Sequence, residues 1–205
     1  MKDILVIDDC IPKETQDNIE KMLSGSYFPW YLNESAVLGD NVNSIALVEP
    51  QTSLKNISGA YDRPQFTHSI LTGEGQWSSA YPIIMSLLSV PPFTFSNILR
   101  IKANLTYPQP NTQSGLFGIP HADITDMKDY ITAIYYVNDN DGDTYIFNEK
   151  YEQKTYKELT IKQVVSPKKG RMVLFNGNQL HSGNYPTQDK PRIVINLNFQ
   201  PYRDK

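Results

Sequence analysis

The chain has 205 residues and is short of the residues from which the commonest stapled or caged folds are built. It has one Cys and three His. A lone Cys10 allows no internal disulfide and no metal cage made of thiolates alone. No long hydrophobic run is present. The apolar stretch at residues 4–7 is far shorter than a signal-peptide core or a membrane span. Neither charge sign dominates. With 19 Lys+Arg against 22 Asp+Glu the net charge is −3, so the basic face of a non-specific nucleic-acid binder is missing. These absences predict a soluble, cytoplasmic protein with neither a nucleic-acid nor a membrane partner. Nothing in the sequence signals an oligomeric state. The length predicts one domain, residues 1–205, with enough chain for a sizeable core.

What is present falls into two parts. In residues 1–96 the pattern is mixed. Residues 4–7 read as a short strand. Pro12 suits a first helical turn, Thr15, Ile19, Met22 and Leu23 fall on one stripe, and Gly25 ends it, which predicts a helix over residues 12–24. Residues 79–89 carry Ile83, Ile84, Leu87 and Leu88 with no Gly and predict a second helix, closed by Pro91 and Pro92. In residues 97–205 short strands and turns take over. Over 99–107 the odd positions are apolar and the even ones polar, an alternation that puts Tyr107 on the apolar face. Residues 130–137, 144–147, 159–165, 171–175 and 192–199 read as further strands, with a turn at 138–143 (NDNDGD). The fold class expected is α+β and mostly β: a double-stranded β-helix (jelly roll) core at 97–205, supported by the helical and mixed segment 1–96.

Few His means that each can be weighed alone. His121-Ala122-Asp123 places an imidazole and a carboxylate two residues apart, on one side of an extended chain. His181 follows a strand and a turn and reads as a loop residue. Arg192 opens the strand RIVINLNF, in which Arg192, Val194, Asn196 and Asn198 face one way and four apolar side chains the other. A row of Arg and Asn pointing into a barrel calls for an anionic partner, because a buried guanidinium is costly unless paired. Thr132 shares a strand face with Ile134 and Tyr136, and with Asn196 and Asn198 it makes a set of possible pocket residues. Two His and one carboxylate occupy one face of a metal and leave the other positions open, an arrangement suited to non-haem Fe(II). An arginine one strand away can hold a carboxylate bidentately.

Jointly these residues resemble the 2-oxoglutarate/Fe(II)-dependent dioxygenases, in particular the prolyl 4-hydroxylase-like branch. The resemblance spans residues 98–199. Tyr107-Pro108 precedes the first ligand as in that family. Thr132-Ala133-Ile134-Tyr135-Tyr136-Val137-Asn138 follows it. Gly142-Asp143-Thr144 and Gly170-Arg171-Met172-Val173-Leu174-Phe175 match its later strands. The resemblance implies His121, Asp123 and His181 as iron ligands and Arg192 as anchor of the distal 2-oxoglutarate carboxylate. It implies Tyr107 and Tyr136 as further co-substrate contacts, although Tyr135 is an equal candidate on position alone. It also implies Fe(II), 2-oxoglutarate and O2 as requirements, ascorbate as a reductant, and release of succinate and CO2. The product would be a hydroxylated small-molecule or peptide substrate, prolyl or another amino-acid residue. A related halogenating group has Ala or Gly in place of the carboxylate, so Asp123 favours hydroxylation. The segment 108–120, rich in Pro and Gly, reads as a lid. Val194 stands where Ser or Thr is common in the family.

Two rival readings fit parts of this pattern. A jelly-roll binding protein without turnover would not need the ligands or Arg192. A zinc-dependent hydrolase suits two His and a carboxylate but gives Arg192 no task. His68 has no partner at ligand spacing and reads as structural. Asp139, Asp141 and Asp143 lack the twelfth-position Glu of a calcium loop, since Lys150 stands there.

Overall fold

A computed structural model describes residues 4–34, 47–48, 64–73, 75, 77–90, 94–108, 117–152, 155–156 and 159–202. The strands are β1 (Leu5–Ile7), β2 (Tyr31–Asn33), β3 (Leu47–Val48), β4 (Gln65–Leu71), β5 (Phe95–Thr106), β6 (Ile131–Tyr136), β7 (Thr144–Lys150), β8 (Thr155–Tyr156), β9 (Ile161–Val165), β10 (Met172–Asn176), β11 (Gln179–Gly183) and β12 (Arg192–Pro201). Seven of them form an antiparallel sheet in the order β1-β10-β6-β12-β5-β4-β2. A second sheet has the order β11-β7-β9, and β3 pairs in parallel with β8. The two larger sheets face each other as a jelly roll. Ile134 and Tyr136 of β6, Val173 and Phe175 of β10 and Val194 of β12 meet Ile146 of β7 and Val165 of β9 between them. No helix among the described residues is long and apolar enough to cross a membrane.

The outer face of the large sheet is covered by helix. Helix α1 (Lys13–Leu23) buries Gln16, Ile19 and Leu23, with Pro12 at the N-cap rather than inside the first turn. Gln16 is buried because its amide donates to the Ile11 carbonyl (2.8 Å). Its side chain fills the space over Gly170, whose φ of +79° and lack of a side chain are both required there. The second predicted helix is one α-turn, α2 (Tyr81–Ile84), tightening into a 3-10 segment, Met85–Ser89. Val90, the residue before Pro91, is extended (ψ 120°), because a following proline disfavours the helical basin. Ile19, Leu23, Ile84 and Leu87 pack on Ile101, Ala103 and Leu105 of β5, Ile193, Ile195 and Leu197 of β12, and Tyr135 of β6.

That packing reverses the sense in which β5 reads from sequence. Its odd, apolar positions face the helices. Its even positions, Arg100, Lys102, Asn104 and Thr106, pair with Asn198, Asn196, Val194 and Arg192 and line the space between the sheets. His181 also differs from expectation. It sits on β11, held by pairing with β7, although Gln179–Gly183 (QLHSG) lacks the alternation that marks a strand. His68 on β4 is structural: its two ring nitrogens meet the Pro29 carbonyl (2.7 Å) and the Ser78 hydroxyl (2.6 Å). In the turn at 138–143, Asp141 accepts hydrogen bonds from the backbone N–H groups and hydroxyl of Thr187 and Gln188 as far as each offers one.

Candidate metal and anion site

His121 and His181 are opposed across a two-residue antiparallel bridge. Each backbone N–H donates to the other's carbonyl at 3.0 Å, and the ring centroids lie 4.8 Å apart. Each Nδ1 meets a backbone carbonyl: Ile119 for His121 (2.9 Å) and Gln179 for His181 (3.1 Å). A carbonyl only accepts, so both Nδ1 atoms donate and both Nε2 atoms keep a free lone pair. This is how a metal-ligating imidazole is oriented. His181 Nε2 is buried with no hydrogen-bond partner. Burial pulls the His181 pKa down to about 4, so the ring is neutral at pH 7.

Asp123 completes the cluster. The ligand atoms of His121, Asp123 and His181 all lie within 4.8 Å of one another, the one such group among the described residues. The Asp123 side chain is only 6% exposed. Burial pushes its carboxyl up, but Arg100, His181, His121 and the Asn198 amide together hold it well below the usual carboxylate range. Arg100 contacts one oxygen at 2.8 Å. The Asn198 amide donates to the other at 3.0 Å and to the Thr132 hydroxyl oxygen at 3.0 Å. Arg100 Nε in turn donates to Asn198 Oδ1 (3.1 Å), closing a ring of contacts around the carboxylate. Sequence reasoning missed Arg100. The signal was available in the polar row of β12, because a neighbouring strand must present its own polar row to the same space. Thr132 and Asn198 therefore brace Asp123, whereas Asn196 does not join this network.

Arg192 is buried 50 residues in sequence from the loop that receives it. Its Nε donates to the Gly142 carbonyl (2.8 Å) and an Nη to the Thr144 hydroxyl (2.9 Å). Thr144 also accepts from the Tyr136 hydroxyl (2.8 Å), and the guanidinium carbon lies 6.0 Å from the centre of the Tyr136 ring. A side chain on residue 142 would come within 2.7 Å of Arg192 Cδ and 2.8 Å of the Asn184 carbonyl, which explains the glycine. Burial lowers the Arg192 pKa and lifts that of Tyr136 to about 12. Among the described residues no carboxylate forms an ion pair with Arg192.

The remaining expected residues lie elsewhere. Of the paired tyrosines, Tyr136 stands beside Arg192 and Tyr135 points into the helix-covered core. Tyr107 comes one residue after β5, is 54% exposed and meets Phe66 edge-on at 6.1 Å. It continues the apolar face of β5 and so does not join the cluster. Residues 109–116, most of the expected lid, lie outside the described residues. Beyond them the Gly118 N–H donates to the Gly183 carbonyl (3.1 Å), tying the chain to β11 ahead of His121.

The donor set fits a divalent metal. Two imidazoles and one carboxylate converge, and one imidazole nitrogen is buried without a partner, a donor set suited to a metal with further positions for other ligands. The buried, unpaired guanidinium of Arg192 fits a carboxylate. Comparison with known proteins agrees. Residues 111–200 match the family model described as the 2OG-Fe(II) oxygenase superfamily. No curated protein sequence matches the chain. The chain is similar in structure to a Pseudomonas putida prolyl-4-hydroxylase, with 13% identity, a TM-score of 0.51 and coverage of 96% of this chain and 92% of that one. It is similar to a 2OG-Fe(II) oxygenase-family oxidoreductase from Burkholderia pseudomallei, with 10% identity, a TM-score of 0.62 and coverage of 98% and 86%. It is also similar to the α-ketoglutarate-dependent epimerase SnoN of nogalamycin biosynthesis, with 10% identity, a TM-score of 0.59 and coverage of 98% and 81%. At these identities the likeness is one of fold.

Proposed function

We propose that this chain, whose residues 111–200 match the model of the 2OG-Fe(II) oxygenase superfamily, uses Fe(II), 2-oxoglutarate and O2 to hydroxylate a small-molecule or peptide substrate at a centre built on His121, Asp123 and His181. The observation that carries the proposal is the convergence of those three ligand atoms in the same inter-sheet space as a buried arginine without a counter-ion. Bound Fe(II) would supply the activation of O2 and the oxidative decarboxylation of 2-oxoglutarate to succinate and CO2.

The chain's own residues do the rest. His121 and His181 present Nε2 because their Nδ1 protons are held by carbonyls. Asp123 stays ionised because Arg100 and Asn198 favour its charged form. With Arg100 on one oxygen at 2.8 Å, the carboxylate has its other oxygen to offer a metal. Arg192 offers its guanidinium to the distal carboxylate of 2-oxoglutarate, and Gly142, Thr144 and Tyr136 fix its direction. Ile134, Ile146 and Val194 keep the surroundings apolar, which strengthens such charge pairing. A carboxylate at position 123 favours hydroxylation over halogenation. A zinc hydrolase would share the three ligands, but Arg192 would have no task.

The test is spectroscopic. Anaerobic addition of Fe(II) and 2-oxoglutarate gives a weak visible metal-to-ligand charge-transfer band, and His121→Ala removes it. A wild-type protein without the band, or a band unchanged in His121→Ala, sinks the reading.

A further inference from the structure

The inner row of β5 and its neighbour on β12 contain groups that neither the metal nor Arg192 uses. Lys102 is half-buried on β5, opposite Asn196 of β12 and Ser69 of β4. It lies between Arg100 and Asn104 in the row that faces the second sheet. Among the described residues it has neither an ion pair nor a hydrogen bond. Arg100, the nearest cation, is already engaged by Asp123 and Asn198. Three oxygens nearby are buried without a donor: Asn104 Oδ1, Thr106 Oγ1 and Asn196 Oδ1. Each unpaired buried group of this kind carries a desolvation penalty that a bound partner would relieve. The strip therefore offers one positive charge and several acceptors.

Such a mixture does not suit a second dianion. Phosphate would need several donors around it, and the unpaired oxygens would repel it. A further 2-oxoglutarate contact is also a poor match. Arg192 lies at the Thr106 end of the strip, four residues along β12 from Asn196, or about 13 Å of strand. Tyr136, which flanks Arg192, is on β6, on the opposite side of β12 from β5. The Lys102 end of the β5 row therefore lies away from the Arg192–Tyr136 pocket, whereas Thr106 sits opposite Arg192. A zwitterion satisfies the strip: its carboxylate pairs with Lys102 and its ammonium donates to the orphaned oxygens.

We propose that Lys102, with Asn104 and Asn196, is the primary-substrate subsite and takes a free α-amino acid by its carboxylate and ammonium groups, not a residue inside a peptide. This rests on the hydroxylase reading above and narrows its substrate class.

The test uses the Fe(II)·2-oxoglutarate protein under anaerobic conditions. The charge-transfer band is titrated with each of the twenty free L-amino acids and with their N-acetyl amides. At least one free amino acid should perturb the band saturably and, in air, raise succinate release. Its capped form should do neither. Lys102→Met should weaken that amino acid at least tenfold and leave the 2-oxoglutarate affinity within twofold of wild type, with Lys102→Arg recovering part of the loss. The subsite assignment is overturned if no free amino acid has a saturable effect, if the capped forms act equally well, or if Lys102→Met weakens 2-oxoglutarate instead. Absence of the band before any amino acid is added would be a failure of the hydroxylase reading, a separate result.

Discussion

The two faces of the seven-stranded sheet are made by the same strands and are chemically opposite. On the outer face Ile193, Ile195 and Leu197 of β12 form a wholly apolar row sealed by α1 and α2. On the inner face the intervening positions are Arg192, Val194, Asn196 and Asn198, joined by Arg100, Lys102, Asn104 and Thr106 of β5. Burying apolar surface on the outer face stabilises the sheet at roughly 25 cal/mol per Å². The inner face adds a smaller apolar cluster but also desolvates Arg192 and leaves oxygens without donors. One face holds the fold together. The other keeps polar groups under a solvation deficit that a metal, a co-substrate and a substrate can relieve. Substitutions on the two faces should therefore fail in different ways, outer ones through stability and inner ones through binding.

The largest expected effect is on the inner face. His121→Ala removes one of three ligands, and the Fe(II)·2-oxoglutarate band should vanish while the far-ultraviolet circular dichroism stays unchanged. Loss of both together would break the comparison, because the ligand would then be part of the scaffold. Next comes Arg192→Met. Removing one partner of a buried charge pair costs about 2–5 kcal/mol, so 2-oxoglutarate should bind at least ~30-fold more weakly. Titration of the band measures this, and an unchanged affinity would mean that Arg192 only ties β12 to Gly142 and Thr144.

Much of this division is legible in the sequence, and the misses have separate physical causes. The β12 pattern, three polar positions and Val194 on one face and four apolar ones on the other, gives both faces at once. The His121-Ala122-Asp123 spacing gives two of the three converging residues. The strand β5 shows the same alternation, yet period-2 patterning says only that two faces differ. It does not say which is covered by helix and which by a second sheet. Tyr107 and Arg100 follow from that ambiguity: the tyrosine lands on the helix-covered side and the arginine beside Asp123. The strand that carries His181 escapes the pattern for another reason. Leu180 is the one large apolar residue in QLHSG, so no alternation marks β11, and its pairing with β7 is a tertiary fact. The second helical segment ends at Ser89, as Pro91 and Pro92 imply, but it starts at Tyr81 and tightens to 3-10 geometry from Met85, which the apolar stripe does not distinguish from an α-helix.

On the outer face the expected effect is smaller and of the other kind. Ile195 is fully buried beneath the helices. Ile195→Val deletes one methylene from a close-packed site and should cost about 0.5–1.5 kcal/mol. For a chain of this size that is a fall in melting temperature of roughly 2–4 °C per kcal/mol. The 2-oxoglutarate titration should not change. A shifted titration would show that the inner face senses the packing of the outer one.

The smallest effect lies outside both faces and calibrates them. Asp8, just after β1, accepts two hydrogen bonds from Arg171 (2.6 and 3.1 Å) and one from Lys168 (3.0 Å), tying β1 to the start of β10. The Arg171 and Lys168 hydrogen bonds hold its carboxyl well below the usual carboxylate range. A carboxyl whose pKa falls on folding adds stability above its unfolded value, about 3.9, and loses it as pH drops through the lower folded value. The side chain is 40% exposed, so solvent screens most of this gain. Asp8→Asn should cost only about 0.2–1 kcal/mol at pH 7. Thermal melts of the two proteins should converge as the pH is lowered below about 4, where the unfolded carboxyl takes up its proton. A gap that stays constant down to pH 2 would mean that Asn disturbs the turn itself. The charge pairing with Arg171 would then contribute nothing measurable, and exposed ion pairs would drop out of the account of how β1 is held to β10.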